Sequence, residues 1–355
     1  MILETEFILQ QEIKEITSLT TTWQAPSNIA LVKYWGKHGM QLPANPSISF
    51  TLNACRTITT VNAVKGEHGF KISYEGVEKP DFAPKIKAFF ERISSYSPWI
   101  KNYYFNIDTR NTFPHSSGIA SSASSMAALS ACIIDFESQL TGLDLDYDKM
   151  SFLSRLGSGS ACRSLQGQLV VWGEHDDTVG SSNLYGVDQT KLLHPTFQNY
   201  HDTILLVDKG QKTVSSTVGH GLMNNHAFAK ARFEQAPQNL TLLKKALQEG
   251  DIETFIKITE SEALTLHAMM MTSHPYFILM KPNTLRIIEE IWKYRKETQI
   301  PVCFTLDAGA NVHLLYPNNH RTAVYEWINE KLAVYCQNSQ YICDQIGSGA
   351  SKLLA

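Results

Sequence analysis

The twelve residues from Pro114 to Ser125, Pro-His-Ser-Ser-Gly-Ile-Ala-Ser-Ser-Ala-Ser-Ser, constrain this chain more than any other stretch because of what flanks them. Before them Tyr103, Phe105 and Ile107 alternate with polar residues, the period of a half-buried strand. After them Met126, Leu129 and Ile133 recur at helical spacing. A strand therefore enters a turn of small residues and leaves as a helix. Such a turn lets backbone N–H groups approach an anion, and the positive end of the helix dipole adds attraction. Serine hydroxyls supply further donors. On this segment alone, a Ser-rich helix cap followed by a flexible loop is an equally good account.

With 355 residues, 43% of them hydrophobic and 18% charged, the chain has material for two globular domains with separate cores. A formal net charge of −3 argues against general nucleic-acid binding, so any basic site is local. Cys55, Cys132, Cys162, Cys303, Cys336 and Cys343 are scattered without C-x-x-C pairs, which fits reduced thiols in a cytoplasmic protein rather than a zinc site or a disulfide framework. The N-terminus lacks a basic region followed by an apolar core, and no apolar run approaches the ~20 residues that span a bilayer, so no membrane association is expected.

Residues 1–22 read as an N-terminal extension, with the organised chain beginning at Trp23. Ile48, Phe50 and Leu52, and then Phe70, Ile72 and Tyr74, alternate with polar residues as antiparallel strands do. Helices are expected over 84–94 and 147–156, with a strand over 168–172. His194-Pro195 breaks the pattern, and the boundary between a first domain (23–200) and a second (201–355) falls near residue 200. The second half offers a strand over 203–207, helices over 240–247, 252–271 and 284–295, strands over 302–306 and 312–316, a helix over 322–334 and a strand over 341–346. Helices on one face of an antiparallel sheet make an α+β domain.

Three further segments carry chemistry. In Ala25-Pro-Ser-Asn-Ile-Ala-Leu-Val-Lys-Tyr-Trp-Gly-Lys37, the ammonium groups of Lys33 and Lys37 would share the face of a helical turn and invite an anion. A solvated basic turn is the plainer alternative. Gly157-Ser-Gly-Ser-Ala-Cys-Arg-Ser164 surrounds one guanidinium with small residues, leaving room for a carboxylate or phosphate. Leu306-Asp-Ala-Gly-Ala-Asn-Val-His313 sets Asp307 at a turn between two apolar runs, where a carboxylate can orient or deprotonate a hydroxyl, or simply shape the turn. Glu174-His-Asp-Asp177 reads as a solvated loop. His267 and His274 read as ordinary packing at a helix end.

In this order the segments resemble the GHMP small-molecule kinase superfamily and, within it, the diphosphomevalonate decarboxylase family, from about residue 25 to about 350. Pro114-x-x-x-Gly118-Ile-Ala-Ser121-Ser122 is similar to the superfamily's phosphate loop. Asn28-Ile-Ala-x-x-Lys33-Tyr34-Trp35-Gly36-Lys37 and Ser158-Gly-Ser-Ala-Cys-Arg163 resemble the more specific decarboxylase signatures. The resemblance implies the GHMP kinase fold: an N-terminal domain like ribosomal protein S5 domain 2, a ferredoxin-like C-terminal domain, and an active-site cleft between them. It also implies ATP and Mg²⁺ as cofactors, a homodimer, and ATP-dependent decarboxylation of (R)-5-diphosphomevalonate to isopentenyl diphosphate. A related enzyme acting on mevalonate or phosphomevalonate, or a non-catalytic ligand sensor, is the alternative.

By that resemblance Asp307 is the catalytic aspartate, Lys33 a catalytic lysine, Arg163 the holder of the substrate carboxylate and Asn28 an orienting residue. Tyr34, Trp35, Gly36 and Lys37, with Ser158, Gly159, Ser160, Ala161, Cys162 and Thr217, fall to the substrate. Pro114, Gly118, Ala120, Ser121, Ser122, Ser215 and Ser216 fall to the nucleotide. No metal-ligating side chain is assigned. The chain departs from the family in reading Val-Gly-His-Gly-Leu-Met after Thr217, and in carrying Pro46 where a serine is common. Lys85 is the candidate for a further basic substrate contact.

Overall fold

The computed structural model describes residues 3–114, 119–210 and 216–354, without the side chains of Ser216 and Thr217. The first half is built on a mainly antiparallel sheet. Its strands are β1 (Ser18–Val32), a small hairpin of β2 (Lys37–His38) and β3 (Leu42–Pro43) at the end of β1, β4 (Ser47–Lys65), β5 (Gly69–Tyr74), β6 (Val77–Glu78), β7 (Tyr103–Asn111), β8 (Leu169–Trp172) and β9 (Gly186–Asp188). Helices α1 (Ala83–Ile93), α2 (Ser121–Thr141) and α3 (Tyr147–Gly157) cover it. The second half pairs strands in the order β11-β12-β10-β13, with β10 (His201–Leu205), β11 (Cys303–Thr305), β12 (Val312–Tyr316) and β13 (Tyr341–Gln345). Its helices are α4 (Ser216–Gly221), α5 (Ala229–Glu249), α6 (Ile252–Met271), α7 (Pro282–Thr298) and α8 (Arg321–Trp327). A last strand, β14 (Ser351–Leu353), returns to pair with β1.

Several expectations change. The organised chain begins before Trp23: β1 starts at Ser18, with Leu19, Thr21, Trp23 and Ala25 facing inward, so residues 18–22 belong to the sheet rather than to an extension. Phe7 joins the first core as well. The segment Phe70, Ile72, Tyr74 is β5, which runs parallel to β7 and antiparallel only to the short β6. Helix α5 starts at Ala229, not Leu240, and carries Pro237 within it. That proline withholds one N–H from the helical ladder without ending the helix.

The halves are welded together by apolar packing. One core cluster contains Ile29, Leu31, Phe50 and Leu169 from the first half and Leu240, Phe255, Leu315 and Ile346 from the second. At the edge of this weld the buried Asp344 of β13 accepts hydrogen bonds from the backbone N–H groups of Asn53, Ala54 and Cys55 at 3.0, 2.7 and 2.8 Å. Those residues lie where the β1–β4 pairing breaks register, between Thr51 and Arg56, and three amides in succession there take one carboxylate as acceptor. Asp344→Ala leaves the amides uncompensated, and urea unfolding is expected to register a loss of about 3 kcal/mol. A loss under about 1 kcal/mol would mean that water replaces the carboxylate.

Candidate active site

A cavity of about 540 Å³ opens between the end of β1, the first turn of α2 and the turn that carries Asp307. Lys33, Lys37, Lys85, Arg92 and Arg163 line it, against the single carboxylate of Asp307 among the described residues. A concave wall with this balance focuses positive potential on whatever enters it.

Lys33 and Asp307 meet in this cavity although they are far apart in the chain: the Lys33 Nζ lies 3.1 Å from the Asp307 Oδ1. Lys33 is 1% exposed, because it follows β1 directly into the junction between the halves. Burial pulls its ammonium below the ordinary lysine value, while Asp307 pushes back. The side chain of Asp307 is 27% exposed, so the carboxylate reaches the cavity.

Arg163 approaches from the short helical turn Gly159–Ser164 that follows α3. Its Nη1 donates to the Ser47 Oγ at 2.6 Å, and its guanidinium lies over the Trp172 ring, 5.7 Å from the centroid. The Asn28 Oδ1 lies 3.4 Å from Nη2 of the same group. Asn28 in turn donates to the Ser164 Oγ and the Ser160 carbonyl, so it ties β1 to the arginine turn. The Arg163 Nε is buried with no hydrogen-bond partner among the described residues. A buried guanidinium with donor capacity left over, on the wall of a cavity, suits an anionic ligand.

Residues 34–37 do not form the helical turn expected of Lys33 and Lys37. Gly36 has φ +99, and the chain reverses into the β2–β3 hairpin. Its N–H donates to the Nδ1 of His220, whose ring packs on both Tyr34 and Trp35, 4.2 and 4.7 Å between centroids. A Cβ at Gly159 would sit 2.9 Å from the Tyr34 hydroxyl, so the small residue is required for this fit. Tyr34, Lys37, Ser158, Gly159 and Ser160 all line the cavity. Trp35 reaches it too, but most of its ring packs in an apolar cluster with Met223, Leu266 and Met270. Ala161 and Cys162 are buried behind the wall and do not line it, and burial raises the Cys162 thiol to about 12.

At the phosphate turn, Ala120 takes a left-handed conformation, φ +38, and the first turn of α2, which no side chain caps among the described residues, lies at the cavity through Ser121, Ser122 and Ala123. The Ser122 Oγ donates to the Ser158 Oγ at 3.0 Å, joining this turn to the Ser158–Arg163 segment. Pro114 is exposed ahead of the turn. Gly118 and Ser215 lie outside the described residues, as do the side chains of Ser216 and Thr217. Lys85 hydrogen-bonds Ser122 and lines both the main cavity and an adjoining recess of about 260 Å³, walled by Ile72, Phe82, Ile107, Met126 and Leu129. Its side chain is exposed at the cavity. Burial, with Arg92 and Lys37 nearby, pulls its ammonium down to about 8.

Arg92 and His220 line the cavity, and Ser47 and His267 touch Arg163 and Asp307 from behind it; none of the four carried a sequence signal strong enough to single it out. His267 is buried, and its Nε2 lies 3.1 Å from the Asp307 carbonyl, a more specific place than packing at a helix end. His175, read within a solvated loop, is buried too and bonds Thr178, Thr241 and the Pro237 carbonyl.

A mixed fold with a cation-lined cavity between its halves, a helix N-terminus on one wall and a lysine–aspartate pair on the other, defines a phosphate-handling enzyme of small molecules. Residues 25–184 match the diphosphomevalonate decarboxylase-like N-terminal domain, and residues 203–351 match the mevalonate 5-diphosphate decarboxylase C-terminal domain. The diphosphomevalonate decarboxylase of Candida albicans is 30% identical over 316 residues, 84% of this chain and 85% of the relative. The mevalonate diphosphate decarboxylase from Enterococcus faecalis superposes with a TM-score of 0.81 at 25% identity, covering 95% of this chain and 100% of that one. The solved complex of MDDEF with MVAPP, AMPPCP and magnesium gives a TM-score of 0.82 at 26% identity over the same shares. The chain belongs to the diphosphomevalonate decarboxylase family, and its α+β architecture is the GHMP kinase fold with N- and C-terminal domains.

Proposed function

We propose that the cavity binds (R)-5-diphosphomevalonate and ATP and that the protein converts them to isopentenyl diphosphate, ADP, phosphate and carbon dioxide. The observation that carries this reading is the Lys33–Asp307 pair, 3.1 Å apart, in a cavity whose other charged lining residues, among those described, are cations. A diphosphate, a carboxylate and a triphosphate together need such a wall.

The tertiary hydroxyl of the substrate is a poor leaving group; when bound, ATP supplies the phosphoryl group that makes it a good one, with Mg²⁺ neutralising phosphate charge. The described lining offers one carboxylate, Asp307, beside the hydroxyls of Ser121 and Ser122, a donor set that fits a Mg²⁺ carried on phosphate oxygens. Asp307 accepts the hydroxyl proton as the oxygen attacks. Lys33 stabilises the negative charge that grows between that oxygen and the transferred phosphoryl group. Arg163 holds the carboxylate of the substrate across the cavity, fixed in direction by Ser47 and Asn28. As the C–O bond to phosphate breaks, the electron pair of the C–C bond to the carboxylate becomes the new C=C bond, and carbon dioxide leaves. Tyr34, Lys37, Ser158 and Ser160 grip the diphosphate end. Ala120, Ser121, Ser122 and the first turn of α2 hold the nucleotide phosphates, with the apolar recess beside Lys85 open to the base. We place the protein in the cytoplasm, which fits its six free cysteines and the lack of any described helix long and apolar enough to cross a membrane.

Incubation of the purified protein with ATP, Mg²⁺ and each of mevalonate, its 5-phosphate and its 5-diphosphate tests the reading, with ADP, carbon dioxide and isoprenoid product quantified. The 5-diphosphate is expected to give all three in equal amounts. ADP without carbon dioxide would leave a kinase, and carbon dioxide from the 5-phosphate alone would move the substrate.

The charge on Lys85 adds a pH dependence. Its ammonium, held near 8, favours anion binding while protonated and loses that effect as pH rises through and beyond 8. Affinity for a non-hydrolysable ATP analogue, followed by calorimetry, should decline up to about tenfold from pH 8 to 9.5. Lys85→Met should bind more weakly at pH 8 and show a flat profile, whereas an unchanged slope would assign the titration to another group.

A further inference from the structure

We infer that helix α6 sets the spacing of the Lys33–Asp307 pair, with Glu262 and His267 acting as positioning residues that grip the backbone of one partner each. This rests on the reading of the pair as the reacting centre, and it assigns a function to two buried polar side chains that the reaction itself does not use. The Glu262 carboxylate is fully buried, and its Oε2 accepts the backbone N–H of Lys33 at 2.8 Å. Arg232 of α5 forms a two-pronged pair with Glu262, at 2.8 and 2.7 Å, and its Nη2 also donates to the Lys33 carbonyl at 2.9 Å. Both backbone polar groups of Lys33 thereby meet one ion pair from the opposite half of the molecule, and the carbonyl has a second donor in the Asn45 Nδ2 at 2.9 Å, so the N–H depends on Glu262 while the carbonyl does not depend on Arg232 alone. Asn239 completes the carboxylate with a bond of 2.6 Å.

Further along the same helix, His267 lies with its Nε2 3.1 Å from the Asp307 carbonyl. Burial lowers its pKa to about 4, so at neutral pH the ring is uncharged and its Nε2 carries the proton that the carbonyl accepts. Helix α6 packs against both β1, which leads into Lys33, and β11, which leads into Asp307. One rigid element therefore touches both reacting residues through their main chain, and neither contact uses the side chain that does the chemistry. Placement errors of about 1 Å in such a centre cost roughly a hundredfold in rate.

The test compares paired variants that differ only in whether the contact survives. His267→Leu removes the donor, whereas the amide of His267→Gln can reach the same carbonyl. Glu262→Leu with Arg232→Met removes the acceptor together with its buried partner charge, whereas Glu262→Gln with Arg232→Met keeps an acceptor for the Lys33 N–H. Steady-state kinetics should give kcat lowered about a hundredfold in His267→Leu and about thirtyfold in the Glu262→Leu double variant, with KM for both substrates within threefold. The glutamine counterparts should remain within about fivefold of the parent kcat. Equal kcat within each pair, or KM moving as much as kcat, would overturn the inference.

A second readout needs no turnover. The ¹³Cε resonance of Lys33, assigned by its loss in Lys33→Met, should titrate with a midpoint moved by more than half a unit in His267→Leu and little moved in His267→Gln, both of which keep the Glu262 charge that also acts on Lys33. Midpoints that do not separate the variants also overturn the inference, even if the parent protein releases no carbon dioxide and the decarboxylase reading fails by itself.

Discussion

Asp307→Asn is expected to lower turnover of the 5-diphosphate about a thousandfold while nucleotide affinity stays within threefold of the parent. The asparagine keeps the shape of the side chain and an oxygen that Lys33 can approach, so the turn between β11 and β12 has no reason to move. What disappears is the capacity to take a proton. The size of the effect follows from the work assigned to the carboxylate: general-base assistance typically contributes about 10² to 10⁴ in rate, and nothing else with a carboxylate lines the cavity among the described residues. Pre-steady-state measurement of ADP formation gives the sharper version. A normal burst of ADP with slow carbon dioxide release would place Asp307 after phosphoryl transfer and refute the role given to it.

Lys33→Met should cost turnover on a similar scale, about 10² to 10³ in kcat, while the folded protein is as stable as the parent or more so by about 1 kcal/mol. The two effects have one origin. The ammonium is buried at the junction of the halves, where burial penalises its charge, and Asp307 offsets only part of that penalty. Methionine fills nearly the same volume without a charge to desolvate, and Asp307 can turn to the solvent it already touches. Both results together would mark a site selected for chemistry over stability. Loss of several kcal/mol on thermal or urea unfolding of Lys33→Met would show instead that the pair holds the halves together.

The residues proposed to react were legible only in combination: a lysine pair beside Asn28, an arginine among glycines and serines and an aspartate at a glycine turn each have a plain structural account, and their order along the chain is what resembles the family. Their supports were not. Glu262 and Arg232 work through the backbone of Lys33, at separations of 229 and 199 residues, and on their own helices they read as one more acid and one more base. His267 looked like a packed histidine because its partner is a main-chain carbonyl, which no sequence pattern reveals. The early start of β1 was hidden for another reason. Its inward positions alternate Leu19, Thr21, Trp23, and Thr21 is buried against Asp135 rather than among apolar side chains, so a hydrophobic count misses the period. Pro26 lies deeper in the same strand, at a register shift in its pairing with β4, where its missing N–H is tolerated.

The return of β14 to the first sheet bears on the order in which the molecule can assemble. Gln24 pairs with Ser351, so the edge strand beside β1 is supplied 327 residues later in the chain. During synthesis the first sheet must wait, with that edge of β1 bare, until the whole second half has been made. Closing such a long loop is slow compared with forming the local helices, although its entropic cost grows only with the logarithm of its length. Refolding should therefore be limited by a late docking step in which β14 joins β1. A chain cut between the halves would leave the first one with an unprotected strand edge, prone to recruit a neighbour in place of its own distant segment.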